Sequence, residues 1–150
     1  MSENRANKGF TLIEILIVIF IIGLLASVVL VGLGSFRQRG RDTRRVADLR
    51  SVQNGLELYY SKNGSYPQIN NWAGLQSELV NSGIGIENIP NDPDKRAVYE
   101  YAGDGQSYVL KAVLEDKNNS VLREDIDSLQ FGSVDCGPAS EDDRYYCVKF

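Results

Sequence analysis

The N-terminal part of the chain carries a long apolar stretch that holds no charged residue. From Ile15 to Phe36 the sequence consists of Ile, Leu, Val, Gly, Ala, Ser and Phe, and as a helix this stretch is long enough to cross a bilayer. The alternative is a buried core helix, but the rest of the chain is too short to surround an apolar cylinder of this length. An ordinary secretory signal has a shorter apolar region, of about 7 to 15 residues. The pattern therefore predicts a transmembrane helix over residues 10–36.

Beyond the apolar stretch the pattern becomes that of a helix with one apolar face. Apolar residues recur at steps of three and four, the spacing of a single helix face, at Val46, Leu49, Val52, Leu56 and Tyr59. We expect the same helix to continue from residue 10 to about residue 60, a length of roughly 75 Å, and to use this face for packing. The sequence of residues 63–67 is expected to end the helix, because it contains a Gly and a Pro.

The remainder of the chain alternates between short predicted elements and turns. A short helix is predicted near residues 72–80. Two strands, at 98–101 and 108–114, flank Gly103-Asp104-Gly105-Gln106, a hairpin turn with Asp-Gly at its centre, and a third strand is predicted at 145–150. One face of the second strand is expected to lie on the long helix, and it consists of Tyr108, Leu110, Ala112 and Leu114.

These elements together predict an α+β fold. A long hydrophobic N-terminal helix, with a transmembrane half and an amphipathic half, is expected to pack against a head with a small antiparallel sheet. The sequence contains no internal repeat and no stretch with the composition of a flexible linker. We therefore expect one head domain carried by one helix.

Charge is unevenly distributed along the chain. Residues 1–50 carry a net charge of +4 and residues 51–150 a net charge of −8. Such an acidic head lacks the clustered Lys and Arg of a nucleic-acid site, and a chain without His has neither His-based catalysis nor His-ligated zinc. No phosphate-binding glycine loop or CxxC cluster appears. We therefore expect no direct nucleic-acid site, no cofactor and no enzymatic activity.

Acidic residues toward the C-terminus offer oxygen atoms that could bind calcium. Their spacing does not match an EF-hand loop, so we expect a solvated acidic surface and no bound metal. The residues are Glu124, Asp125, Asp127, Asp135, Glu141, Asp142 and Asp143.

Both cysteines, Cys136 and Cys147, lie near the C-terminus. This position is beyond the predicted transmembrane segment, where an oxidising exterior would allow them to pair. The alternative is two unpaired buried thiols. We expect a disulfide bond.

The most informative residues come directly before the apolar stretch. Lys8-Gly9-Phe10-Thr11-Leu12-Ile13-Glu14 leads into Ile15-Leu16-Ile17-Val18-Ile19-Phe20. In these residues the chain resembles type IV pilins and the pseudopilins of type II secretion and DNA-uptake systems. The resemblance is strong over about residues 8–35 and looser over the head.

The resemblance implies how the chain is processed and divided. A leader peptide, residues 1–9, would be removed by a membrane-embedded prepilin peptidase that cuts between Gly9 and Phe10, and the new N-terminal Phe10 would be N-methylated. Residues 10–36 would then form the half of the helix that lies in the membrane or the filament core. Residues 37–150 would form the amphipathic half and the head.

Basic residues lie on both sides of the apolar stretch. Arg5 and Lys8 favour a cytoplasmic N-terminus, and Gly9, which has no Cβ, leaves the backbone accessible to a protease. A count of Lys and Arg would instead place the C-terminal end of the apolar stretch on the cytoplasmic side. This end is followed by Arg37, Arg39, Arg41, Arg44 and Arg45. We follow the leader motif. The arginine cluster is then either a solvated helix face or a surface that pairs with acidic neighbours in a filament.

Glu14 is the only ionisable side chain in the apolar N-terminal stretch. A charge near membrane depth costs up to about 2.5 to 3.5 kcal/mol on insertion scales, so a compensating interaction is expected. One interpretation is that Glu14 lies shallow and interacts with the positive end of its own helix dipole. The resemblance implies another interpretation, which we favour: Glu14 pairs with the cationic amine of Phe10 in an adjacent subunit.

Three glycines, Gly23, Gly32 and Gly34, interrupt the apolar stretch. Each weakens a helix interior by about 1 kcal/mol relative to Ala, which predicts flexibility, and close helix packing is the alternative. Many type IV pilins carry a Pro eight residues after the first of these glycines. This chain departs from that pattern and has Val31 there.

The sequence predicts a structural protein. After processing, copies are expected to polymerise through their helices into a cell-surface filament, and adhesion, motility or DNA uptake would be properties of that filament. The expected partners are other copies, the prepilin peptidase, the pilus assembly machinery and, before assembly, the inner membrane. One alternative is a pseudopilin of a type II secretion or DNA-uptake system. A second alternative is a single-pass membrane-anchored binding module. The third and weakest is a membrane-anchored enzyme, because the sequence lacks catalytic groups.

Overall fold

The computed structural model describes residues 9–95, 97–137 and 144–150, without the side chains of residues 28–33. The chain divides between Arg37 and Gln38 into two compact units. Its helices are α1 (Leu12–Asn63) and α2 (Trp72–Asn81), and a 3-10 helix covers Ser120–Arg123. The strands are β1 (Glu100–Gly103), β2 (Tyr108–Val113), β3 (Gln130–Phe131), β4 (Val134–Asp135) and β5 (Tyr145–Lys149). A long N-terminal helix and a small antiparallel sheet are present, and the predicted α+β class is confirmed.

Helix α1 is uninterrupted from Leu12 to Asn63. Its end follows from Gly64, which adopts a φ of 73°, a left-handed conformation that only glycine adopts without strain. The Gly64 N–H donates to the carbonyl of Tyr60 at 2.7 Å, which satisfies one of the last carbonyls of the helix. The predicted helix end is therefore confirmed.

The first unit contains the apolar stretch. Its large side chains are exposed, with Phe20 67% and Leu25 59% accessible. In the part of the chain that the structure describes, no helix is long and apolar enough to cross a membrane, whereas the sequence analysis predicts a transmembrane half over residues 10–36.

The second unit contains an antiparallel three-stranded sheet with the order β1-β2-β5. Both the predicted hairpin and the predicted third strand are confirmed. The turn lies one residue later than predicted, because Gly103 already pairs with Tyr108. The carboxylate of Asp104 accepts hydrogen bonds from the backbone N–H groups of Gln106 and Ser107, at 2.9 and 2.8 Å. This capping makes Asp104 the first residue of a four-residue loop and not the centre of a tighter turn.

Two other elements complete the second unit. Helix α2 was predicted, and it begins at Trp72, directly after its N-cap Asn71, whose side chain accepts from the Gly74 N–H at 2.6 Å. The β3–β4 ribbon was not predicted. It has only two residues per strand, too few to produce an alternating pattern, and the ammonium group of Lys111 ties it to the main sheet by donating to the Asp135 carbonyl at 3.0 Å.

The core of the second unit lies between α1, α2 and the sheet. The apolar face of α1 and the predicted inward face of β2 belong to one buried cluster, together with residues of α2. Four α1 side chains in it are at most 8% exposed. The cluster includes Val46, Leu49, Val52 and Leu56 from α1, Leu75 and Leu79 from α2, and Tyr108, Leu110, Ala112 and Leu114 from β2 and its end. Both predicted packing faces are thereby confirmed.

Candidate assembly site

Helix α1 begins with reciprocal hydrogen bonds between Thr11 and Glu14. The backbone N–H and the hydroxyl of Thr11 both donate to Glu14 Oε2, each at 2.7 Å. In return, the Glu14 N–H donates to Thr11 Oγ1 at 3.3 Å. This arrangement is a capping box, in which a Thr precedes the first helical residue and a Glu lies three positions further on. It fixes the helix start at Leu12 and ties the Glu14 carboxylate to the N-terminal end of α1.

The capping box changes the interpretation of Glu14. In the unassembled chain its carboxylate is exposed and already has two donors from Thr11, so it does not depend on the helix dipole alone. The sequence analysis missed the role of Thr11. The local signal was present, because Thr-x-x-Glu before an apolar run is the sequence signature of a capping box. Pairing of Glu14 with an adjacent subunit stays a prediction.

The residues at the predicted cleavage site are freely accessible. Gly9 and Phe10 both precede the helix, and Phe10 is 85% exposed. In the full-length chain the nitrogen of Phe10 is part of the Gly9–Phe10 peptide bond. The cationic amine that Glu14 is predicted to bind therefore does not exist until that bond is cut, and cleavage would create the complementary charge.

An apolar surface surrounds Glu14 on the first turns of α1. Soluble monomers rarely expose a contiguous apolar patch of more than a few hundred Å², so a surface of this kind marks an interface with protein or lipid. Its side chains are each about half exposed or more, and include Leu12, Ile13, Ile15, Leu16, Ile17, Ile19 and Phe20. The arrangement is a single carboxylate in an apolar surface, which can select a partner that brings one positive charge.

Two of the three glycines of the apolar stretch make no packing contact with the described residues of the chain. A Cβ added at Gly23 or Gly34 would meet no other atom within 4 Å. The surroundings of Gly32 lie outside the described side chains. Close packing of these glycines against a neighbouring helix and flexibility of α1 both stay predictions.

The arginine cluster after the apolar stretch forms ion pairs inside the chain. Arg39 and Arg44, 69% and 63% exposed, fit the solvated helix face, whereas the buried Arg45 fits neither interpretation. Four of the five arginines have a carboxylate of the same chain within 4.0 Å, and one of them is neither solvated nor available to a neighbour. Arg45 is buried, with only 1% of its side chain exposed. Asp42 and Asp48 are local acceptors on the same helix, whereas Asp92, Glu115 and Asp116 are distant in sequence, so a local pattern could not reveal those three.

Arg45 binds three carboxylates. Its Nε and Nη2 donate to the two oxygens of Asp92, at 2.7 and 2.9 Å, and its Nη1 donates to Asp42 at 2.8 Å and Glu115 at 2.9 Å. Asp42 also accepts from the backbone N–H groups of Glu115 and Asp116, both at 2.9 Å. The cluster thus connects α1 to the loop at residue 92 and to the segment that follows β2. These hydrogen bonds raise the pKa of Arg45, which stays charged.

Glu115 gives this cluster a defined pH dependence. Hydrogen bonds from Arg41 and then Arg45 lower the pKa of its carboxyl group to about 2, against an ordinary value of 4.5. A lowered carboxyl pKa stabilises the fold at pH values above the ordinary value, and this stabilisation is lost as the pH falls toward the folded value. With discounting for partial exposure, the contribution is about 2 to 3 kcal/mol.

We therefore expect Glu115→Gln to lower the free energy of unfolding by about 2 to 3 kcal/mol at pH 6. The difference from wild type should shrink between pH 4.5 and pH 2, because the wild-type carboxylate becomes protonated there. Urea unfolding of the full chain in detergent micelles at several pH values measures this difference. Glu87→Gln, at an exposed position, is the control. A difference that stays constant from pH 6 to pH 2 would contradict the assignment.

The predicted disulfide is present between Cys136 and Cys147. Both residues are fully buried, in a second small cluster with Ala102, Val109 and Val134. Because the bond closes a loop of ten residues, the chain-entropy model gives a stabilisation of about 3 kcal/mol. It holds β4 against β5.

The acidic residues considered for calcium form no metal site in the described residues. Among these, no group of three or more His, Cys, Asp or Glu side chains could hold a metal ion. Residues 141–143, which supply three of the seven candidates, lie outside the described part.

Comparisons with known proteins bear on this arrangement. A family model described as the prokaryotic N-terminal methylation motif matches residues 4–30. Type II secretion system core protein G of Escherichia coli is 40% identical over 77 residues, which are 51% of this chain and 52% of that protein. The protein of the same name from Aeromonas hydrophila is 32% identical over 103 residues, covering 61% of this chain and 70% of that protein. A fimbrial protein of Neisseria meningitidis is 31% identical over 86 residues, which are 57% of this chain and 51% of that protein.

These matches cover part of the chain and part of each relative. The chain spans about half the length of the Escherichia coli and Neisseria proteins. No solved structure gives a significant match. The methylation motif coincides with the capping box and the start of the exposed apolar surface, and the Aeromonas protein is matched over more than two thirds of its length. The chain therefore belongs to the family of type IV pilins and type II secretion pseudopilins.

Proposed function

We propose that this chain is a structural subunit of a type IV pilus-type filament, made as a precursor with residues 1–9 as its leader. Cleavage between Gly9 and Phe10 and N-methylation of Phe10 produce the mature subunit. The observation that carries the proposal is the exposed apolar surface at the start of α1, with one carboxylate, Glu14, four residues after the accessible Gly9–Phe10 bond. Copies then polymerise through this part of the helix.

The charge on Glu14 aligns the incoming subunit. Phe10 and Glu14 are four residues apart, a separation of about 6 Å when the helix extends to the freed N-terminus, so a neighbour displaced by a distance of this order brings its amine to the carboxylate. Apolar contact alone tolerates many displacements, whereas an unpaired amine and an unpaired carboxylate in a dry interface are both costly. The ion pair therefore selects one displacement. Thr11 holds the carboxylate at the helix end until the amine arrives.

The subunit's partners and location follow from this scheme. Before assembly the precursor is anchored in the cytoplasmic membrane with its N-terminus inside, where the prepilin peptidase cuts it. The assembly machinery then transfers it into the filament, and the head lies outside the cell. The disulfide between Cys136 and Cys147 supports an oxidising environment for the head.

A second candidate in the same family is a pseudopilin, whose short filament serves type II secretion or DNA uptake. It is favoured by the two relatives that are named as type II secretion core protein G, whereas the fimbrial relative favours a pilus. Filaments that extend from the cell surface at native expression would select the pilus. A single-pass anchored binding module is the candidate of another class, and it would retain residues 1–9.

The experiment that tests the proposal is mass spectrometry of the protein recovered from cell membranes. We expect an N-terminal peptide that begins at Phe10 and carries one methyl group on its amine. Substituting Gly9 with a bulkier residue such as Leu should leave the leader attached, because a Cβ side chain then obstructs the cut bond. A mature protein that keeps residues 1–9, or one cut after Ala26, would contradict the proposal.

A further inference from the structure

A polar cleft lies on the second unit, where α1 ends beside the β1–β2 loop. Its volume is about 410 Å³, within the range of about 300 to 1,000 Å³ that is typical of small-molecule sites. One wall is the C-terminal end of α1 and the segment that follows it, and the other wall is the hairpin loop. The lining groups come from Tyr60, Ser65, Gln68, Asp104, Gly105 and Gln106.

Hydrogen bonds hold the two walls of the cleft together. The Tyr66 N–H donates to the Gly105 carbonyl at 2.9 Å, and the Gly103 N–H donates to the Ile69 carbonyl at 3.0 Å. The buried hydroxyl of Tyr101 donates to the Pro67 carbonyl at 2.8 Å. Since these bonds do not involve the lining side chains, the cleft is preformed and its lining groups stay available to a ligand.

Four polar side chains in the cleft have no hydrogen-bond partner among the described residues. They are the hydroxyls of Tyr60 and Ser65 and the side-chain amides of Gln68 and Gln106. Together they offer both donors and acceptors at adjacent positions. Gly105 makes room for one of them, because a Cβ at this position would lie 2.7 Å from Gln68 Nε2. The backbone of the loop thus passes close to the Gln68 amide without covering it.

An aromatic ring forms part of the cleft surface. Tyr60 is 43% exposed, and its ring packs at 4.7 Å on the ring of Tyr66. Tyr66 in turn contacts Tyr108 and Phe150, at 4.7 and 5.5 Å between ring centres. The inner rings fix the orientation of Tyr60 and leave it accessible as a flat apolar surface beside the free amides.

The charge of the cleft disfavours anions. Asp104 is its one carboxylate, and hydrogen bonds from the backbone of Ser107 and Gln106 lower the pKa of this group. No Lys or Arg lines the cleft, but Lys149 lies near enough to Asp104 to contribute to the lowering of its pKa. The charge of Asp104 is thus already balanced by two backbone N–H groups and Lys149, and an anionic ligand would find no cation in the lining, so a neutral ligand fits the cleft best.

We infer that this cleft binds a short neutral saccharide. The apolar C–H face of a sugar ring packs on an aromatic ring, while its hydroxyls pair with amides and hydroxyls at the edges, and the cleft supplies both beside each other. A neutral ligand matches a carboxylate whose charge is already balanced by backbone N–H groups and Lys149. The site belongs to the second unit and contains none of the residues proposed for assembly, and the inference does not depend on how the chain assembles.

The test uses the full chain in micelles of a detergent without a sugar headgroup, with ligand-observed saturation-transfer NMR. Lactose, maltose and N,N′-diacetylchitobiose are the neutral probes, and 3′-sialyllactose is the acidic counterpart of lactose. We expect at least one neutral probe to bind, and 3′-sialyllactose to bind more weakly than lactose. Absence of binding by all three neutral probes, or stronger binding of the sialylated one, would overturn the inference.

Variants locate the binding. Tyr60→Ala should weaken binding of the neutral probe by about tenfold, as expected for the loss of an aromatic contact. Gln106→Ala, on an exposed loop, should weaken it several-fold without touching the core. Leu58→Ala, at an exposed position on the same helix, is the matched control and should bind as the wild type does. Unchanged binding in Gln106→Ala and in folded Tyr60→Ala would show that the saccharide binds elsewhere.

Discussion

Replacing Glu14 by alanine is expected to reduce the yield of filaments at least tenfold while the chain is still made, cut after Gly9 and folded. The physical reason is the amine of the neighbouring Phe10, which loses its partner in a dry interface, a loss of about 3 to 5 kcal/mol for a buried charge pair. The head is unaffected because Glu14 makes its described side-chain bonds only to Thr11. The measurement is shearing and immunoblotting of filaments from cells in which the variant is the sole copy.

The capping box makes a sharper version of this experiment possible. Alanine removes both the charge of Glu14 and the hydrogen bonds that begin α1, whereas glutamine removes only the charge, since a Gln at this position also completes a capping box. If the ion pair aligns subunits, Glu14→Gln fails to assemble as Glu14→Ala does. Normal filaments from Glu14→Gln beside a failure of Glu14→Ala would assign Glu14 to helix capping and refute the alignment mechanism. Membrane fractions serve as the control for insertion, which loss of the charge should ease.

Replacing Arg45 by alanine is expected to destabilise the second unit by about 3 to 5 kcal/mol, because it leaves the carboxylates of Asp42 and Asp92 buried without their cation. Both carboxylates are at most 1% exposed. Arg45→Lys should recover only part of this loss, since an ammonium cannot reproduce the two parallel bonds to Asp92. Urea unfolding of the full chain in micelles measures both changes.

Arg44 provides the matched control for Arg45. It is the preceding residue in the same helix, but its side chain is 63% exposed and its ion pair with Asp48 joins neighbouring turns of α1. Exposed pairs of this kind contribute about 0.3 to 0.5 kcal/mol. We therefore expect Arg44→Ala to unfold nearly as the wild type does. Equal losses in the two variants would contradict the distinction between a buried cluster and a solvated face.

The two arginines show which part of the structure could be predicted from the sequence. The packing face of α1, the inward face of β2 and the hairpin were predictable because each is a local repeat of apolar positions or a local turn signal. The partners of Arg45 were not. Its position four residues before Leu49 places it on the apolar face of α1, unlike its exposed neighbour Arg44, but its acceptors Asp92 and Glu115 lie 47 and 70 residues away.

The candidate assembly site was only partly predictable from the sequence. The motif around Gly9, Phe10 and Glu14 indicated the family and the processing, but the Thr11 interaction was overlooked although its signal is local. The position of the hairpin turn depended on the side chain of Asp104, which competes with the preferred Asp-Gly centre by capping two N–H groups. The β3–β4 ribbon is too short to leave a periodic pattern.

The central claim is that the Phe10 amine of one subunit meets the Glu14 carboxylate of its neighbour. A reconstruction of the filament by electron cryo-microscopy, at a resolution that shows side chains, tests it most directly. The claim predicts a methylated amine within hydrogen-bonding distance of a neighbouring Glu14, about 2.7 to 2.9 Å, in a core built from the N-terminal part of α1. A core in which Glu14 contacts only its own Thr11, with the Phe10 amine directed elsewhere, would contradict it.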